Sequence, residues 1–82
     1  MNALEKCVGI VGTQRKFAEK VGATQQSVSA WLRKGKVGDG FAIAAARAVD
    51  FQVTPHELRA DHYPHPDDGL PEAMREQSRA AE

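Results

Sequence analysis

Along the first sixty residues, apolar side chains recur three and four positions apart, and glycines interrupt the pattern where a turn is needed. Leu4, Cys7, Val8 and Val11 share one helical face behind Asn2, a good capping residue, and Gly12 ends the run, which predicts a first helix over about residues 3–11. Thr13 can cap a second helix, "QRKFAEKV", with Phe17, Ala18 and Val21 on one face and Arg15, Lys16, Glu19 and Lys20 on the other. Gly22 stops it, and Thr24 caps a third helix from Gln25 to about Lys34, with Gly35 as its end. "GKVGDG" is a loop on its glycine content. "FAIAAARAV" predicts a fourth helix with Phe41, Ile43, Ala44, Ala48 and Val49 towards a core. In "VTPHELRA", Thr54 as N-cap, Pro55 at the first helical position and Glu57 three residues after the threonine spell a capping box and a short fifth helix anchored by Leu58. Neither a strand pattern nor an internal repeat is present.

After Ala60 the composition changes. "DHYPHPDDGLPEAMREQSRAAE" holds three of the four prolines and little apolar content, so the chain divides into a folded body over residues 1–63 and an acidic, flexible C-terminal tail over 64–82, with a frayed helix expected over 71–80. Tyr63 is expected to fold back over the base of the fifth helix. The chain of 82 residues suits one small all-α domain. Its net charge of zero conceals a split: residues 1–60 carry nine basic side chains against five acidic, a surplus of four, and residues 61–82 carry two against six, a deficit of four. A basic body suits a nucleic-acid partner. The lone Cys7 has no partner for a disulfide or a zinc site, and no apolar run approaches the roughly 20 residues of a membrane span, so a bacterial or phage-infected cytoplasm is the expected compartment.

The stretch "ATQQSVSAWLRKG" poses the functional question. A buried helix would carry more apolar side chains, whereas this one begins with two adjacent glutamines and ends with a basic cluster. Ala18 is small where two helices would cross, Gly22 permits a sharp turn, and Val28 can wedge between them. Phe17, Val21 and Trp31 would hold the pair against the core, leaving the first turn of the later helix projecting.

"QRKFAEKVGATQQSVSAW" resembles the helix-turn-helix of phage repressors and Cro proteins of the lambda-repressor-like fold, and the chain over about residues 3–64, with "VTPHELRADHYP", is similar to the YdaS-type Cro-like regulators of prophages, which include antitoxin-type proteins. It departs from them at "KVGDGFAIAAARAVD", where a more polar helix start is usual. The resemblance implies a compact five-helix domain, a helix-turn-helix over about 14–34, a recognition helix over about 25–34, and double-stranded DNA as partner.

A glutamine amide donates and accepts at once, matching the N6 donor and N7 acceptor of adenine in the major groove. Gln25 and Gln26 are therefore the expected base readers, as the resemblance also implies, with Ser29 one turn further on. Ser27 is short enough to let the helix approach the DNA backbone. Thr13 and Gln14, at the start of the second helix, would touch phosphate, with Arg15, Arg33, Lys34 and Lys36 adding charge. Arg47 and Arg59 are read as surface charges. His62, His65 and nearby carboxylates are chemically suitable metal ligands, but Pro64 and Pro66 give them no scaffold, and no metal or other cofactor is expected. "KGKVGDG" lacks the Lys-Ser/Thr ending of a phosphate-binding loop, and no nucleophile, base and orienter stand together, so an enzyme is not expected. The expectation is a sequence-specific, Cro-like transcriptional repressor that binds an inverted-repeat operator as a homodimer, formed in solution or only on DNA. The alternative is an antitoxin-type module that binds a toxin and autoregulates its operon.

Overall fold

In a computed structural model that describes residues 2–74, the chain forms α1 (Ala3–Val11), α2 (Gln14–Val21), α3 (Gln25–Lys34), α4 (Ala42–Ala48) and α5 (Pro55–Leu58). The described residues contain no strand. Four of the five helices start the same way. The side-chain oxygens of Asn2, Thr13, Thr24 and Thr54 accept from the N–H groups of Glu5, Lys16, Ser27 and Glu57 at 2.8, 3.1, 3.0 and 3.2 Å. Each bond satisfies a donor that the helix itself cannot. At Thr54 this is the half of the capping box formed among the described residues. Gly22 takes the left-handed conformation (φ 77°, ψ 28°), and the next N–H, of Ala23, returns to the Ala18 carbonyl at 2.9 Å. A residue with a Cβ would be strained there, so the glycine lets α2 stop and α3 leave in a new direction.

α1, α2 and α4 pack mutually, α5 closes the far side against α4 and α1, and α3 packs chiefly on α2. Leu4, Cys7, Phe17, Ala18, Val21, Val28, Val37, Ala45, Ala46, Val49, Val53 and Leu58 form the core. Burying a side chain of the size of Phe17 or Leu4 contributes about 1.5–3 kcal/mol. In a chain this short, such residues decide stability.

The fourth helix differs from the sequence expectation. It is entered from Phe41 with no side-chain cap, and its buried face is Ala42, Ala45, Ala46 and Val49; Phe41, Ala44 and Ala48 are half-buried against that core, as expected, whereas Ile43 is half-buried and outside it. The reason is compositional: Arg47 is the one charged residue in the segment, and at about 100° per residue Ile43 lies within roughly 40° of it, towards the wet side. Beyond it, Asp50 and Phe51 both hold positive φ (52° and 58°), a left-handed step that turns Val53 into the core.

Tyr63 is half-buried against the core, its N–H donating to the Arg59 carbonyl at 2.8 Å and its own carbonyl 2.7 Å from His56 Nδ1. The chain then continues in turns that bring Gly69 against the Pro55 ring. Residues 72–74 are helical, and the rest of the helix expected over 71–80 lies outside the described residues.

Candidate nucleic-acid interface

The α2–α3 pair is built on two fully buried residues, Phe17 of α2 and Val28 of α3, with Ala18 and Val21 beside them. Val28 is the only buried residue of α3, and Trp31 and Leu32 are half-buried. A helix held by so narrow a stripe leaves its opposite side to solvent. On that side, Gln25 and Gln26 are exposed in the first turn, and Arg33 and Lys34 are exposed in the last. Basic residues there also complement the helix dipole.

Gln14 and Ser29 meet. The Ser29 hydroxyl donates to Gln14 Oε1 at 2.9 Å, joining the first turn of α2 to the second turn of α3. With its oxygen engaged, Gln14 directs its amide NH2 away from Ser29, and Ser29 keeps an acceptor and its methylene for anything approaching α3. Ser27 is half-buried, its hydroxyl accepting from Thr24 Oγ1 at 2.9 Å. Thr13 and Arg15 are exposed, Thr13 occupied in capping and Arg15 3.6 Å from Glu19 one turn on. An exposed pair of that kind adds little to stability and exchanges readily for another anion.

At the other end of α3, the Lys36 N–H returns to the Trp31 carbonyl at 3.1 Å and the chain enters the Gly35–Gly40 loop. Trp31 lies against Phe41, ring centroids 5.0 Å apart and tilted by 44°, and over Gly38, where a Cβ would stand 2.6 Å from the indole nitrogen. Lys34 and Lys36 are exposed on the rim of a groove of about 400 Å3 beside the indole.

Arg59 lines the same groove, and here the structure corrects the sequence reading of a surface charge. Its residue is 7 % exposed, the only buried charged residue among those described, whereas Arg47 is exposed. Nε and Nη2 donate to the two Asp61 carboxylate oxygens at 2.9 and 2.8 Å, Nη1 to the Val37 carbonyl at 2.9 Å and to Asp39 Oδ1 at 2.6 Å, and Nη2 also lies 3.1 Å from His62 Nε2. A guanidinium can only donate, so in this contact the acceptor is His62 Nε2. These hydrogen bonds hold the Asp39 and Asp61 carboxyls below the ordinary carboxylate range, and Asp61 and then Asp39 raise the guanidinium in return.

Elsewhere, Cys7 is fully buried, and burial, followed by the nearby Glu57 charge, pushes its thiol up to about 11. That is a core cysteine, unreactive at neutral pH. Among the described residues, no three of His, Cys, Asp and Glu gather where they could hold a metal ion, and no helix is long and apolar enough to cross a membrane.

A small all-helical domain with one helix presented on another is thus the class that the fold and site define. Residues 4–67 match the family described as bacterial toxin YdaS, and the chain belongs to that family. No curated protein and no solved structure matches the chain.

Proposed function

We propose that this chain is a sequence-specific DNA-binding transcriptional regulator with a lambda-repressor-like helix-turn-helix over residues 14–34, acting as a Cro-like repressor of phage or prophage genes. The placement of Gln25 and Gln26 carries the reading: both are exposed on the first turn of a helix that packs chiefly on one neighbour. Set in a major groove, that turn would bring both amides to base edges, where a bidentate contact to adenine discriminates by about 1–3 kcal/mol. Ser29, its proton given to Gln14, would offer an acceptor or a methylene contact to a thymine methyl. Phosphates would be held by the Gln14 amide, the start of α2 at Thr13, Arg15, and the basic end formed by Arg33, Lys34 and Lys36, with Ser27 short enough to allow close approach. In this reading the protein is a binder and not an enzyme, needs no cofactor, and works in the cytoplasm where its DNA lies. One domain of this size buries little DNA surface, so two copies would bind half-sites about one helical turn apart in an inverted repeat.

The family's description as a bacterial toxin favours a second reading, in which the chain is an antitoxin-type or toxin-related module that binds a protein partner through its acidic C-terminal part and uses DNA binding for autoregulation. Deleting residues 64–82 separates the two: the repressor reading expects DNA binding to persist or tighten slightly at low salt, and the module reading expects partner binding to be lost.

The test of mechanism is a pair of substitutions measured on a preferred site and on an unrelated duplex. Gln26→Ala is expected to lower specific affinity by about 1–3 kcal/mol and leave nonspecific binding alone, while Lys34→Ala lowers both. Equal losses on every duplex for Gln26→Ala would remove it as a reader.

A further inference from the structure

Arg59 is remote from the glutamines, yet its contacts converge on the segment that leaves α3. One of its nitrogens holds the Val37 carbonyl and the Asp39 carboxylate, and the others hold Asp61 and His62 beyond α5. A guanidinium has five N–H donors, and these contacts use all five. The group therefore has no donor left for a ligand of its own. It spans 22 residues of sequence to reach Val37, which is 1 % exposed and stands between exposed Lys36 and the Gly38 that underlies Trp31. Released from Arg59, a loop with glycines at 35, 38 and 40 would keep the buried Val37 side chain and the Lys36 N–H bond to the Trp31 carbonyl but lose the hold on its carbonyl at 37 and its carboxylate at 39.

Resting on the DNA-binding reading above, we infer that Arg59 is a positioning residue for the phosphate grip: it fixes the Gly35–Gly40 loop from behind so that Lys36 faces the DNA backbone from the rim of the Trp31 groove, beside Lys34 at the end of α3. Pre-organising the loop that carries Lys36 reduces the ordering that binding would otherwise require. The carboxylate of Asp39 takes part in the same hold, although it lines the same groove as both lysines and would, as a bare charge, repel phosphate.

That opposition supplies the test. Asp39 is exposed, its side chain 84 % accessible, so Asp39→Ala removes one anchor of the loop without opening the core. Electrostatics alone makes this variant bind DNA more tightly, because a negative charge is gone. Positioning makes it bind more weakly. Affinity of the full-length chain for a labelled duplex would be measured by fluorescence anisotropy across a salt series, for the wild type, Asp39→Ala, Arg59→Lys, Lys36→Ala and the double variant Arg59→Lys/Lys36→Ala. The inference expects a loss of roughly fivefold for Asp39→Ala and for Arg59→Lys, with the slope of log affinity against log salt reduced by about 1 for the Lys36 contact given up. It also expects Lys36→Ala to cost clearly less in the Arg59→Lys background than in the wild type, since the arginine acts through that lysine. Thermal melts identify variants that fail to fold, and Asp39→Ala carries the test should Arg59→Lys be one of them. Tighter or unchanged binding by folded Asp39→Ala, while the wild type binds, overturns the inference alone. A folded wild type that binds no duplex at low salt overturns the DNA-binding reading beneath it.

Discussion

Gly9 and Gly38 differ in what a methyl group would meet. Gly9 sits inside α1 on the exposed side, and an added Cβ finds nothing within 4 Å; at Gly38 the same atom would fall 2.6 to 2.9 Å from three atoms of the Trp31 indole. Gly9→Ala is thus expected to stabilise the protein by about 0.5–1 kcal/mol, through helix propensity and a less free unfolded chain. Gly38→Ala should destabilise it by about 1–3 kcal/mol and move the indole, which a shift in tryptophan emission would report. Urea melts of the two variants check both signs. The only tryptophan being Trp31 makes the optical readout unambiguous.

At the scale of the element, the caps explain why the helices start where they do. Thr24 matters most for function, because the first turn that it fixes carries Gln25 and Gln26. Its oxygen accepts from the Ser27 N–H at 3.0 Å and donates to the Ser27 hydroxyl at 2.9 Å. Thr24→Ala should cost about 1 kcal/mol of stability in a denaturant titration, and Thr24→Ser, which keeps the oxygen, only a fraction of that. Equal losses from both would mean that the methyl, not the cap, is what counts. These caps were legible in the sequence because a hydroxyl or amide followed three residues later by a free N–H is a local device. So were the buried faces of α2 and α3, where charged residues mark the opposite side. The face of α4 was legible only in part: Val49 and the half-buried Phe41, Ala44 and Ala48 meet the core as expected, but Ala42, Ala45 and Ala46 were missed, since Arg47 alone marked the wet side among alanines. Asp61 and His62 stand close to Arg59 in sequence, but its burial was missed because the partners that draw it inward are 20 and 22 residues back, and one of them is a carbonyl, which every residue carries. The Ser29 to Gln14 bond also escaped the sequence reading, because the two residues are 15 apart and meet only when the helices cross.

For the molecule as a whole, the clasp around Arg59 joins the end of α3 to the segment after α5, and its dependence on pH follows from the two carboxylates. Asp39 and Asp61 both titrate below the ordinary value of 3.8 in the folded state. A depressed folded value means that their contribution is fully present above the unfolded value and is lost as pH falls through the folded one. Stability should therefore be insensitive to these groups between neutral pH and about 5, and should fall more steeply below about 4 in the wild type than in Asp61→Asn. Parallel denaturant midpoints for the two proteins down to pH 3 would contradict this. The same segment begins the acidic stretch of residues 61–82, so the clasp ties the end of α3 to the point where the charge of the chain changes sign. The central claim concerns what the body binds, and selection of bound sequences from a random duplex pool, with the full-length protein at near-physiological salt, tests it most directly. Enrichment of a short inverted repeat containing A·T pairs is the predicted result; a folded protein that enriches no sequence would contradict it.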